Sequence, residues 1–502
     1  MHITSSIGLL LAALATASLA SPVNHNAAAD NGLVRVPIIR KPRKTDMLTA
    51  RQRRSNTLNK RDPFQTSLYN DEGSQYLIQV GVGTPPQNFT VTLDTGSADL
   101  WVPSTECPSK TCPFTNFDAS KSSTFKSLDQ PFGITYGIGN VNGTYATDTV
   151  TVAGATVPDQ QFGLASTTSD ILTVQGAQGG ETDDSEVQAN GILGLGYPQL
   201  TAGVTRGEAP YNPFVFNLMD KNIIANPVFS VYMNRASEEG WAGEVIFGGV
   251  DDTKYTGNLT YLPVASLVPS HRSRRDGRSN TNGYFYWMVH GQGFALKGGD
   301  KVKDMSFPLR DIGAFILDTG TTLTYLPMDM ANQILEALVG RRGFALDRQS
   351  GTYVVDCKAA STGSSFQLFM SPTGKVTNNP VTLSVPIADM VIPLDADTPE
   401  EARACMFGIA PTAPSGGQSQ GSEMILIGDS VLRSSYLVFD MGKNRVGIAA
   451  AKGSGGSVDG NQATAEADTS QPPTGSAVSL TPAGYTTLSA LCILSSILWT
   501  AL

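Results

Sequence analysis

The chain has 502 residues, 44 acidic against 35 basic side chains, a formal charge of −9, and 40% hydrophobic residues. That length suits two cored domains, and the acidic balance argues against a nucleic-acid partner, whose phosphates favour a basic surface. The four histidines (His2, His25, His271, His290) have neither metal-ligand spacing nor an evident nucleophile to serve, and no phosphate or dinucleotide loop occurs, so no metal and no cofactor is expected.

In chain order, the apolar run Ile7–Leu14 and the small-residue pattern Ser18-Leu19-Ala20 read as a secretory signal over residues 1–20, cleaved after Ala20. Residues 21–61 hold ten Lys or Arg but only Asp30 and Asp46 as acids. Without residues 1–61 the chain has 42 acidic and 25 basic side chains, a formal charge of −17. A basic segment ahead of an acidic body reads as a pro-peptide held over the cleft by ion pairs, which acid would weaken. Arg53-Arg54 and Lys60-Arg61 are dibasic sites for a processing convertase, and the second places the mature start at Asp62.

The body, 62–452, alternates short β-branched and aromatic runs with Gly, Pro and Asn clusters, and so is expected to be mostly β. Val91–Leu93, Thr147–Val152 and Val228–Met233 are examples; Met328–Val339 is a helix, with Ala331, Ile334, Leu335 and Leu338 forming its apolar stripe. The expected lobes are 62–250 and 251–452, divided near Gly249–Asp252, with a cleft between them. Thr168–Glu186 is a polar insert containing Glu181, Asp183, Asp184 and Glu186; an acidic loop near the cleft would favour basic substrate side chains. His271–Arg278 packs four arginines into eight residues and reads as an exposed loop open to nicking.

Within this body Asp-Thr-Gly occurs twice, as Asp94-Thr95-Gly96-Ser97 and Asp318-Thr319-Gly320-Thr321, each after an apolar strand-like run. A carboxylate at the end of a buried strand is costly unless chemistry needs it. Asp94 is followed 100 residues later by Gly194 in Ile192-Leu193-Gly194, and Asp318 is followed 110 residues later by Gly428 in Leu426-Ile427-Gly428. One half-site built twice brings two equivalent carboxylates together, and such a pair shares a proton because both cannot easily ionise. One acts as base and the other as acid. Gly96 and Gly320 let the backbone approach the carboxylates, Thr95 and Thr319 can bond across the lobes, and Ser97 and Thr321 can reach the outer carboxylate oxygens.

Over roughly residues 74–451 the chain resembles the pepsin-like aspartic endopeptidases. The match runs through Tyr76-Leu77-Ile78, Gly83-Thr84-Pro85-Pro86-Gln87, Asp94 to Val102, Ile134-Thr135-Tyr136-Gly137, Asn190 to Gly196, and Ile427-Gly428-Asp429 leading to Val438-Phe439-Asp440. The resemblance implies a bilobal fold of two related β lobes with the active-site cleft between them, and hydrolysis of peptide bonds at acidic pH by an activated water. It implies that Tyr136 and Gly137 sit on a flap over the substrate, with Trp101 orienting Tyr136, and that the enzyme is a monomer acting on proteins or peptides. The flap departs from the family pattern in continuing as Ile138-Gly139-Asn140, which bears on subsite preference. A non-catalytic binding protein of this kind usually lacks an Asp, the Gly or the Tyr, all present here.

The resemblance pairs Cys107 with Cys112 and Cys357 with Cys405, where sequence alone permits three connectivities; Cys492 lies in the tail. Asn88, Asn142 and Asn258 head Asn-x-Ser/Thr triplets and are glycosylation candidates. Residues 486–502 are apolar and uncharged, downstream of the small residues Gly475-Ser476-Ala477. This pattern fits a GPI signal (476–502, removed) with Gly475 carrying the anchor on a flexible stalk, 453–475; a tail-anchored helix is the competing reading. The combination is similar to the yapsin-like surface proteases of fungi, implying a zymogen that reaches the plasma membrane or cell wall through the secretory pathway.

Overall fold

Period-two alternation makes strands with one face to cover, and this chain covers its strands largely with other strands. The computed structural model describes residues 33–40, 76–137, 139–172, 189–234, 241–269, 283–299, 302–348, 350–396, 398–412, 424–460 and 477–480. Among them are a thirteen-stranded sheet, a six-stranded sheet, a four-stranded sheet and two strand pairs. The fold is mostly β and of the pepsin-like bilobal kind. The first lobe carries strands Tyr76–Val82, Gln87–Asp94, Leu100–Pro103, Lys126–Tyr136, Gly139–Val152, Ala155–Ser169 and Ile192–Gly194. The second is built on the six-stranded sheet, whose central members include Met288–Lys297 and Met305–Leu317. The helix Met328–Val339 buries Ala331, Ile334, Leu335 and Leu338, the stripe its spacing predicts.

The lobes share strands across the expected boundary at Gly249–Asp252. Ser435–Asp440 pairs antiparallel with Val228–Met233, with Leu437 opposite Val231 and Phe439 opposite Phe229. Phe229 and Phe439 stack with ring centroids 4.6 Å apart, and Trp287 meets Phe439 at 5.1 Å and Tyr197 at 4.5 Å. The Trp287 indole N–H also donates to the Leu195 carbonyl at 2.8 Å, so one fully buried ring ties the second lobe to the segment beneath Asp94. Trp287→Ala is expected to cost about 3–5 kcal/mol of stability, a buried aromatic lost with a cavity left behind. Equilibrium denaturant unfolding reads this directly; a loss under about 1 kcal/mol would mean the junction repacks.

Val34–Arg40, inside the segment expected over the cleft, is instead a sheet strand lying between Trp241–Phe247 and Tyr76–Val82. Its period-two pattern explains the difference: Val34, Val36 and Ile38 enter the core while Arg35 and Pro37 face outward. Arg35 forms the expected kind of ion pair, at 2.9 Å to Asp251 and 3.4 Å to Glu244. Burial pushes the Glu244 carboxyl up. Burial acts the same way on Asp251, but Thr253 and Arg35 outweigh it and hold that carboxyl down to about 2. A depressed carboxyl stabilises the fold above its ordinary range, and that contribution disappears as pH falls through the folded value. Acidification toward the range of the Asp251 carboxyl should therefore weaken its pair with Arg35 and lower the exchange protection of residues 34–40, taken relative to intrinsic rates, a few fold, while the raised Glu244 carboxyl acts in the opposite direction. Arg35→Gln should remove most of that pH dependence; an unchanged acid response in the variant would place its origin elsewhere.

The expected stalk also begins later than its composition suggests. Ser457–Asp459 pairs antiparallel with Thr382–Ser384 at the edge of the six-stranded sheet, and Val458 packs on the core. Ala477–Leu480 runs parallel to Ser266–Pro269. Lys60-Arg61, Asp62, residues 173–188, 271–278, Gly475 and the 486–502 tail lie outside the described residues. Among the described residues no helix is long and apolar enough to cross a membrane.

Candidate active site

Each Asp-Thr-Gly is delivered by a strand that ends beside an apolar-Gly strand. Gln87–Asp94 runs parallel to Ile192–Gly194, with Leu93 opposite Leu193 and Asp94 opposite Gly194. Met305–Leu317 runs parallel to Met424–Ile427, with Leu317 opposite Ile427. The Leu195 amide donates to the Asp94 carbonyl at 2.8 Å, and the Asp318 amide donates to the Ile427 carbonyl at 3.0 Å. The glycines are sterically required: a Cβ on Gly194 would overlap the Ala98–Asp99 backbone, and one on Gly428 would overlap the Thr321 and Leu323 carbonyls. Both carboxyls are thereby held in the interior, Asp94 at 6% and Asp318 at 7% exposure.

The loops meet through reciprocal hydrogen bonds. The Thr95 amide donates to Thr319 Oγ1 at 3.2 Å, and the Thr319 amide donates to Thr95 Oγ1 at 3.0 Å. Each hydroxyl in turn donates across the junction, Thr95 to the Leu317 carbonyl at 2.7 Å and Thr319 to the Leu93 carbonyl at 2.9 Å. Each carboxylate is oriented within its own loop. Gly96 N–H donates to Asp94 Oδ1 at 2.7 Å and the Ser97 hydroxyl to Asp94 Oδ2; Gly320 N–H donates to Asp318 Oδ1 at 2.8 Å and the Thr321 hydroxyl to Asp318 Oδ2 at 2.7 Å. A Cβ on Gly96 would overlap the Asp318 carboxyl, and a Cβ on Gly320 would overlap that of Asp94. Each glycine thus makes room for the opposite lobe's acid.

The electrostatics separate the two acids. Burial raises both, opposing the charged form. The negative charge of Asp94 raises Asp318 further, whereas donors from Ser97, Gly96 and Asp318 pull Asp94 back. The two carboxyls therefore hold a proton between them, and the donors around Asp94 favour its charged form. Behind them Asp429 is also raised by burial, countered by Arg433 and reinforced by the charges of Asp318 and Asp94.

The strands Lys126–Tyr136 and Gly139–Val152 form a hairpin with Tyr136 opposite Gly139 at its tip. The Trp101 indole N–H donates to the Tyr136 hydroxyl at 3.0 Å, and Gly137 follows in the turn; Ile138 lies outside the described residues. Burial, with the charges of Asp94 and Asp99, pushes the Tyr136 hydroxyl well up, so it stays protonated. The disulfides Cys107–Cys112 and Cys357–Cys405 are both formed. Among the described residues no group of His, Cys, Asp and Glu is arranged to hold a metal.

Sequence reasoning assigns no role to three polar residues that meet at the hairpin base: Asp99, Tyr211 and, on the hairpin itself, Tyr145. The available signal was an acid inside the apolar run Ala98-Asp99-Leu100-Trp101-Val102. A charge there needs partners, and the sequence does not say which.

A duplicated, reciprocally bonded pair of Asp-Thr-Gly loops under a tyrosine-tipped hairpin defines an aspartic protease site. Comparison with known proteins agrees. The family model described as eukaryotic aspartyl protease matches residues 75–451. Mucorpepsin of Rhizomucor pusillus is 34% identical over 456 residues, covering 89% of this chain and 96% of that protein. Gastricsin of Mus musculus is 31% identical over 77% of this chain and 83% of its own length, and vacuolar protease A of Aspergillus fumigatus is 31% identical over 79% and 84%. The chain belongs to the eukaryotic aspartyl protease family and is a pepsin-like aspartic endopeptidase.

Proposed function

We propose that the protein hydrolyses peptide bonds at acidic pH through a water activated by Asp94 and Asp318, as a secreted, GPI-anchored protease at the cell surface. The observation that carries the chemistry is the pair itself, two buried carboxyls with unequal surroundings and reciprocal loop contacts. Ionised Asp94 accepts a proton from the water, whose oxygen attacks the scissile carbonyl. Protonated Asp318 donates to that carbonyl oxygen, giving a neutral tetrahedral diol. The C–N bond then breaks as the departing nitrogen takes the proton held on Asp94, and Asp318 recovers its own from the diol. The hairpin carrying Tyr136 closes over the substrate and excludes bulk water.

The secretory reading is supported by the apolar leader, the dibasic sites, the two disulfides and the small-residue pattern before the apolar tail. Asn88, Asn142 and Asn258 are all exposed, as glycan acceptors must be. Cleavage at Lys60-Arg61 would start the mature chain at Asp62, and a lipid on Gly475 would hold a monomer to the membrane or wall. The full chain, expressed through a secretory pathway and assayed on denatured protein at acidic pH with and without pepstatin, tests the activity. A folded wild type that cleaves nothing would overturn it. Release from intact membranes by a phosphatidylinositol-specific phospholipase tests the anchor, and retention would favour a tail helix. A cleavage profile with only hydrophobic preferences would remove the acidic insert as a specificity element.

A further inference from the structure

The residues at the hairpin base form a connected polar cluster that the reaction itself does not use. Asp99 is 1% exposed and lies between the Asp94 loop and Trp101. The Gly194 amide donates to its carbonyl at 3.1 Å, so its backbone belongs to the framework of the catalytic pair. Its Oδ1 accepts from the Tyr145 and Tyr211 hydroxyls, both at 2.7 Å, and its Oδ2 accepts from the Ala202 amide at 2.9 Å. Tyr145 belongs to the outgoing hairpin strand Gly139–Val152 and meets Phe132 of the incoming strand edge-on at 5.2 Å. The incoming strand has its own tie: Arg206 donates to the Pro131 carbonyl at 2.6 Å, and its guanidinium lies 5.8 Å from the Tyr145 ring.

We propose that Asp99 is a positioning residue for the flap: through Tyr145, backed by Tyr211 and Arg206, it fixes the hairpin base against the catalytic loop and so sets where Tyr136 stands over Asp94. The inference rests on the proteolytic reading of the site. A buried carboxylate is costly, and here its two oxygens accept three hydrogen bonds. An amide of the same shape offers one acceptor oxygen and would turn its NH2 toward a donor. The hairpin is therefore held at both ends from one short segment, with Asp99 at the base and Trp101 on the Tyr136 hydroxyl at the tip. A base freed from Asp99 would leave the tip contact alone to hold the flap, and the Trp101–Tyr136 bond would be made less often.

The test uses the full-length protein carrying Tyr145→Phe, which removes one hydroxyl and keeps the ring, and Asp99→Asn. Hydrogen exchange reads the tether without catalysis. Amides of residues 130–146 should exchange about tenfold or more faster, the weight of one hydrogen bond to a charged group, while those of Val228–Met233 stay unchanged. In peptide hydrolysis, normalised to active sites titrated with pepstatin, kcat/KM should fall by about tenfold. Because the effect runs through Tyr136, Tyr145→Phe should cost no more than about twofold when added to Tyr136→Phe. Unchanged hairpin exchange in a folded variant, or a kcat/KM within about twofold of wild type, overturns the inference, as does full additivity with Tyr136→Phe. An inactive wild type overturns the proteolytic reading instead, and the exchange result still decides whether Asp99 tethers the hairpin.

Discussion

Asp318→Asn and Asp94→Asn should each lower the rate of peptide hydrolysis by at least about four orders of magnitude, the scale on which single members of a catalytic unit act. The variants fail for different reasons. An amide in place of Asp94 cannot take a proton from water, and an amide in place of Asp318 cannot give one to the carbonyl and return it. Both substituted side chains fill the same space; the amide oxygen keeps the glycine N–H, and the Ser97 or Thr321 hydroxyl can turn to accept from the new NH2, so the fold survives. Assay of both variants beside wild type on one peptide across pH separates these effects from unfolding; residual activity within about a hundredfold of wild type in either would remove that carboxyl from the chemistry.

The pair also ties stability to pH in a direction opposite to that of ordinary surface carboxylates. Burial, and for Asp318 the charge of Asp94, raise the folded values above those of an unfolded chain. A group raised in this way stabilises the fold fully below its unfolded value, and the contribution is lost as pH rises through the folded value. The protein should lose stability from the acidic range toward neutrality, and Asp318→Asn should flatten that decline. Thermal unfolding of both proteins across this range measures it; an equal decline in the variant would assign the pH dependence to Asp429 or elsewhere. Activity falls over the same direction because the proton needed for catalysis leaves the pair.

The second large effect is expected from a single methyl group. In Gly96→Ala the new Cβ would overlap the carboxyl of Asp318, which is held by Thr321 and Gly320 and cannot swing away freely. Gly320→Ala does the same to Asp94, held by Ser97 and Gly96. The carboxyls must separate or the lobes must shift. Displacement by about 1 Å costs on the order of a hundredfold in rate, and the overpacking costs about 1–3 kcal/mol. We expect kcat to carry most of the loss, since the clash falls on the carboxyls themselves. Steady-state kinetics beside unfolding curves distinguish this from simple instability, and a variant with wild-type kcat would show that the junction yields at little cost.

The elements most legible in the amino-acid order were those with strong local periodicity. Met328–Val339 and Val228–Met233 have the bounds their residue patterns imply, because their own apolar spacing selects the element. The dyad was legible for another reason: the same tripeptide and the same apolar-Gly segment occur twice at similar separations. At Val34–Arg40 the basic residues suggest a segment lying over the cleft, whereas the alternation of buried Val34, Val36 and Ile38 makes these residues a sheet strand. The start of the expected stalk is hidden in the same way: its glycine-rich composition masks an edge strand that contributes one partly buried valine. Asp99 was visible as an anomaly, but its partners Tyr145 and Tyr211 lie 46 and 112 residues away.

The chain order alone therefore determines that there are two acids, each on a strand end beside a glycine and a hydroxyl, because those features are written within a few residues of one another. It does not determine that Gly96 backs Asp318 and Gly320 backs Asp94, or that Thr95 reaches Leu317 and Thr319 reaches Leu93. Those contacts span more than two hundred residues and exist only after the lobes close. Hydrogen bonds and steric fit act over a few ångströms, so long-range partners are set by packing and register, whereas local pattern sets only which groups are available to meet.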